Sequence, residues 1–195
     1  MTVPRALTAG VLLVFASATG ASALSDVLMP CKTLNMRIDK HDANAVLFKL
    51  VCIPTSGTMP LPNVGNSPLE NDLGASLWVR DLVSLRETAV LLPSPYWVGL
   101  GEPAGSQGYR FHDKSNIGCK SIRLEPERLK LNCKMVVASG LLPAAGDVGV
   151  LLHFYPELGG EKLDFCAQPG GTETRNDESV LKRWDAPAPA ACLTP

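Results

Sequence analysis

Close pairs of metal-ligating residues are missing from this sequence. No Cys-x-x-Cys occurs, and the three histidines, His41, His112 and His153, are scattered, so the ligand spacing of a zinc site is absent. Blocks of one charge sign are missing too. The 18 Lys and Arg are interspersed with 19 Asp and Glu for a net charge of −1, which argues against a basic stripe for nucleic acid or a polybasic patch for a membrane surface. Beyond residue 23 no apolar run reaches the roughly 18 residues that a membrane helix needs. Aromatic residues are few, with 5 Phe, 3 Trp and 3 Tyr, and a core would claim most of them. Helical periodicity is nearly absent: ESVLKRW (178–184) is the one candidate helical turn, and it reads equally well as an edge strand. These absences predict no metal, no cofactor, no nucleic-acid partner and no membrane span in the mature chain.

What is present begins with an export signal. Arg5 precedes the apolar stretch LTAGVLLVFASATG, and Ala21-Ser22-Ala23 supplies small residues at a cleavage site. Gly10, Ser17, Thr19 and Gly20 interrupt the apolar run and make it a poor permanent anchor. Pro30, directly before Cys31, is a poor match to a lipoprotein signal. The reading is a signal peptide over 1–23 and a periplasmic or extracellular mature chain, 24–195, forming one domain. All six cysteines follow residue 23, and an even count in an oxidising compartment predicts three disulfides.

The cysteines bracket hairpin-like segments. CKTLNMRIDKHDANAVLFKLVC (31–52) and CKSIRLEPERLKLNC (119–133) share a plan of cysteine, alternating strand, polar turn, alternating strand and cysteine. Leu34, Met36 and Ile38 alternate with polar residues, as do Ile122 and Leu124. Matching the apolar faces pairs Ile122 with Leu131 and Leu124 with Leu129, which leaves Cys119 and Cys133 with opposite parity. A bulge or an irregular strand end near Gly118 would reconcile them. Sequential pairing, Cys31–Cys52, Cys119–Cys133 and Cys166–Cys192, is one of fifteen connectivities and the preferred one, with the others left open. Residues 54–74 carry four prolines and no periodicity, as a loop or crossover would. Strands resume at 75–82, 87–92 and 148–155, with further short segments at YRF and KLDFCA. The sum is an all-β fold, an antiparallel sandwich or barrel-like domain of roughly nine short strands. An extended Ala/Pro-rich tail (185–195) follows.

Candidate chemistry concentrates in WVGLGEPAGSQGYRF (97–111). GLGEPA resembles a dinucleotide fingerprint, but Pro103 and the glycines that follow deny it the helix that the fingerprint requires. Ser106 has Ala104 where a nucleophile elbow needs glycine. His112 and Asp113 are neighbours on a strand and point to opposite faces, so Asp113 cannot orient His112 toward Ser106. His153 reads as an ordinary strand histidine. Glu125 and Glu127 flank a turn proline and make a poor glycosidase pair. Glu70-Asn71-Asp72 and Asn176-Asp177-Glu178 read as solvated turns before calcium loops. What survives is a binding rim of Tyr96, Trp97 and Tyr109 for a carbohydrate or peptide; the alternative is that these rings cap the core.

The loop WVGLGEPAGSQGYRF, the bracket CKSIRLEPERLKLNC and the terminal CAQPGGT with APAPAAC together resemble an uncharacterised group of exported bacterial proteins. In that group a tryptophan–glycine–proline loop precedes a cysteine-bracketed hairpin, and an Ala-Pro-rich tail ends in cysteine. The likeness covers mainly residues 97–192 and implies the Cys119–Cys133 and Cys166–Cys192 pairings. It implies no catalytic residues. The functional expectation is a non-enzymatic exported binding or structural module. An extracytoplasmic hydrolase with a site assembled from distant loops is the alternative. A subunit that adds an edge strand to a partner is the third option.

Overall fold

The computed structural model describes residues 25–63, 67–70, 72–115, 118–136, 141–156 and 162–193; the expected signal peptide, 1–23, lies outside them. Among these residues thirteen strands follow one another: β1 (Ser25–Met29), β2 (Cys31–Asp39), β3 (Asp42–Cys52), β4 (Ala75–Asp81), β5 (Glu87–Leu92), β6 (Trp97–Leu100), β7 (Gly108–His112), β8 (Gly118–Glu125), β9 (Arg128–Val136), β10 (Val148–Phe154), β11 (Leu163–Ala167), β12 (Thr172–Asn176) and β13 (Val180–Ala186). A 3₁₀ turn, Ser94–Tyr96, precedes β6. The class is all-β, as the alternation requires, but the count exceeds nine. The additional strands are β1, β6, β12 and β13. All but one of the β12 side chains are exposed, so no alternation marks it, and β13 turns Arg183 inward where an apolar residue would have announced a strand.

The strands form two sheets. The smaller has the order β1-β11-β10-β4-β5 and the larger the order β12-β13-β2-β3-β9-β8-β7-β6. β1 runs parallel to β11, and the other pairings are antiparallel. Period-two alternation gives each sheet one apolar face. Leu77, Val79, Val150, Leu152, Phe154 and Phe165 of the smaller sheet share one core with Met36, Phe48, Leu50, Phe111, Ile122 and Leu131 of the larger.

Three disulfides staple this sandwich: Cys31–Cys52, Cys119–Cys133 and Cys166–Cys192. Ile122 opposes Leu131 and Leu124 opposes Leu129, and the register shifts between Cys119 and Ser121. That bulge lets both cysteines share a face although their parity differs. A second shift between Cys31 and Thr33 does the same in the first bracket.

The third disulfide ties the tail to the outer face of the smaller sheet. Cys166 lies on that face beside Leu151, and the Leu193 side chain fills the space where a side chain on Gly149 would stand. Leu151 is fully buried although it faces away from the core. The larger sheet has no such strap among the described residues, and its outer face is left to solvent.

Candidate ligand-binding face

The aromatic rim expected at Tyr96, Trp97 and Tyr109 does not form. Trp97 and Tyr109 are core residues, 4% and 3% exposed, and of the three only Tyr96 is open to solvent. The Trp97 ring packs at 5.3 Å from Phe111 and 5.5 Å from Phe154, bridging the two sheets. Its Nε1–H donates to the Leu92 carbonyl at 2.9 Å, and the Tyr109 hydroxyl donates to the Pro62 carbonyl at 2.8 Å. An amphipathic ring whose polar tip finds a buried acceptor gains more inside than at a rim. The glycine loop is the β6–β7 hairpin connection, closed by bonds from the Gly105 and Gln107 amides to the Leu100 carbonyl. Gly105 sits at φ +92° with the Tyr109 ring against it, so a side chain there would displace the ring.

The other candidates resolve into structural roles. Asp113 accepts bonds from the Ser115 amide and hydroxyl, both at 2.7 Å, and its ordinary acidity is strengthened by them. His112 points outward from β7. Glu125 is held between Arg128 and Arg123, whose guanidinium groups keep its carboxyl below the usual range. The side chain of Asn176 bonds both the amide and the carbonyl of Ala144. Asp177 caps its own turn through Ser179 and Val180 and pairs with Arg175, which depresses its carboxyl strongly. Asn71 lies outside the described residues. No group of three His, Cys, Asp or Glu among the described residues is placed to hold a metal ion.

One constellation escaped the sequence reading. Ser76, His153 and Asp164 stand in a row across β4, β10 and β11 as direct cross-strand partners. His153 Nδ1 lies 2.6 Å from Asp164 Oδ1, and Lys162 Nζ 2.5 Å from Asp164 Oδ2. The order resembles that of a hydrolytic triad, but the chemistry is not available. Ser76 is 3% exposed, and its hydroxyl oxygen accepts the Trp78 indole N–H at 3.0 Å. β4 lies between β10 and β5, so the ladder on both sides consumes the backbone N–H groups that an oxyanion would need. The row is a buried polar network in which fully buried Asp164 meets His153 on one side and Lys162 on the other.

The outer face of the larger sheet is different. Successive ladders place Trp184, Thr33, Val51, Lys130, Arg123 and Arg110 opposite one another, one residue from each of six adjacent strands from β13 to β7. A second row two residues along carries Lys182, Asn35, Lys49, Asn132, Ser121 and His112. Neither row contains a carboxylate. A shallow cleft of about 410 Å³ runs over their centre, lined by Lys49, Arg110, Ser121, Arg123, Lys130 and Asn132 among others. The carboxylates of this sheet lie outside the two rows: Glu125 at one end of the strands, Asp39 and Asp42 at the other, Glu173 paired with Arg183, and Asp185 next to Trp184.

Pairing sharpens the contrast. Lys134 bonds Asp39 at 2.8 Å, a contact that raises its own affinity for the proton and lowers that of Asp39. Arg80 pairs with Glu87, Arg175 with Asp177, and buried Arg183 with Asp147 and Glu173. Lys49, Arg110, Lys130 and Lys182 have no carboxylate partner among the described residues. Strands stand about 4.8 Å apart, so Lys130, Arg123 and Arg110 repeat a positive charge at that interval. Trp184, 47% exposed, ends the row.

No family model matches the chain, and no curated protein or solved structure shows a significant similarity to it.

Proposed function

We propose that the protein is an exported, non-enzymatic binding module that takes an anionic ligand, an acidic carbohydrate or an acidic peptide, onto the outer face of its larger sheet. The observation that carries this reading is the register of Lys130, Arg123 and Arg110, three cations directly opposite one another, of which only Arg123 meets a carboxylate, Glu125 at the strand end. Like charges placed directly opposite each other destabilise a sheet, and a bound anion would reverse that cost. The three disulfides support an oxidising compartment, and among the described residues no helix is long and apolar enough to cross a membrane.

The reading is tested by affinity electrophoresis of the oxidised protein through gels containing dextran sulfate, polygalacturonate, polyglutamate or neutral dextran. Retardation by at least one polyanion, weakened by salt and by the triple variant K49A/R110A/K130A but not by K40A, is expected. Equal mobility in all four gels, or retardation that the triple variant leaves unchanged, would overturn it.

A further inference from the structure

We infer that the ligand of this face is a linear uronate polysaccharide lying across the strands, one sugar per strand, with its far end against Trp184. The inference rests on the anion-binding reading above and narrows it. The strand interval of about 4.8 Å is close to the length of one pyranose ring with its glycosidic oxygen. A chain carrying one carboxylate per sugar therefore repeats its charge along its length at about the interval of Lys130, Arg123 and Arg110 on β9, β8 and β7, and the carboxylates of the sugars turned toward the sheet meet these cations. A guanidinium group donates two parallel N–H bonds to a carboxylate, and Arg110 has no competing carboxylate partner among the described residues.

The second row supplies what a sugar needs beyond charge. Asn132 and Ser121 offer amide and hydroxyl groups about 7 Å along β9 and β8 from Lys130 and Arg123, and Asn35 stands level with them on β2 beside Thr33, in reach of ring hydroxyls. The six-strand row from Arg110 to Trp184 spans roughly 24 Å, and its exposed indole offers a flat apolar surface for the sugar's C–H face. Nucleic acid fits the same band poorly. Single strands are held by a series of stacking aromatics, and Trp184 is the one aromatic ring besides the His112 imidazole in either row.

The experiment is a length series of oligogalacturonates titrated into the oxidised protein, read by calorimetry and by tryptophan fluorescence. Trp97 is buried and Trp78 lies on the other sheet, so a fluorescence change lost in W184F reports the end of the band. A trimer is expected to bind at the cations without changing the fluorescence. A hexamer or longer chain should bind about tenfold tighter and change it, and W184A should remove the length advantage while leaving trimer affinity intact. Trimer and octamer binding alike would overturn the transverse placement while leaving an anion-binding face. So would polyglutamate or single-stranded oligothymidylate competing as well as the octamer. Loss of binding to all polyanions would remove both readings.

Discussion

Arg110 and Arg123 face each other directly across the β7–β8 ladder, and Lys130 faces Arg123 from the other side. Only Arg123 of the three has a carboxylate partner, Glu125, itself shared with Arg128. The fold tolerates this repulsion on an otherwise ordinary sheet face. R110T should therefore stabilise the protein by about 0.5 kcal/mol, seen as a rise in the urea midpoint, while weakening polyanion binding. A variant that loses both stability and binding would mark Arg110 as structural.

Trp97 and Tyr96 are neighbours with opposite fates. W97A should cost about 3–5 kcal/mol, because it opens a cavity between Phe111 and Phe154. Y96A, which removes a half-exposed ring lying edge-on to Phe111, should cost about 1 kcal/mol or less. Equilibrium denaturation of both variants checks the difference, and neither substitution should alter polyanion binding in the folded protein.

The tail disulfide gives a third expectation. Replacing Cys166 and Cys192 together with alanine removes a constraint across 26 residues of sequence separation, worth about 3 kcal/mol in the chain-entropy account. The released tail would uncover Leu151, so limited proteolysis should cut within residues 187–193 while the sandwich stays intact. Tail cleavage unchanged from the wild type would mean that packing alone holds the segment.

Acid should loosen the turns before the sheets. Asp39 and Asp177 bind protons less tightly in the folded chain than in the unfolded one, Asp39 chiefly because of Lys134 and Asp177 chiefly because of Arg175. Their contribution is complete above the unfolded value near pH 4 and is lost as pH falls through the lower folded values. A urea midpoint measured against pH should fall below about pH 4, and less steeply in D39N/D177N than in the wild type.

The hairpins were legible in the sequence because alternation and cysteine punctuation coincide there. The apolar matching of Ile122 with Leu131 even exposed the parity conflict that the bulge after Cys119 resolves. β12 was not legible, having almost nothing to bury, and β13 was legible only as one of two readings of ESVLKRW, a helical turn or an edge strand; it is an inner strand that buries Arg183, whose guanidinium is satisfied by Asp147, Glu173 and the Gly146 carbonyl. The cationic band was invisible for a different reason. Lys49, Arg110, Arg123 and Lys130 stand on four strands, each charge ordinary in its own segment, and only register aligns them. The rim aromatics misled because sequence shows that a ring is amphipathic but not that a carbonyl such as Leu92 or Pro62 waits inside for its polar tip.

The parallel pairing of β1 with β11 sets an order of assembly. The hairpins at the centre of the larger sheet join strands that are neighbours in sequence and can close as soon as each has emerged. The smaller sheet draws its first edge from Ser25–Met29 and the adjacent strand from Leu163–Ala167, segments separated by most of the domain. Such distant contacts close slowly, so β1 must wait, unpaired along that edge, until β11 has been delivered. Both sheets thus grow from local hairpins and are completed only by late strands, the smaller when β11 meets β1 and the larger when β13 brings Lys182 and Trp184 beside β2.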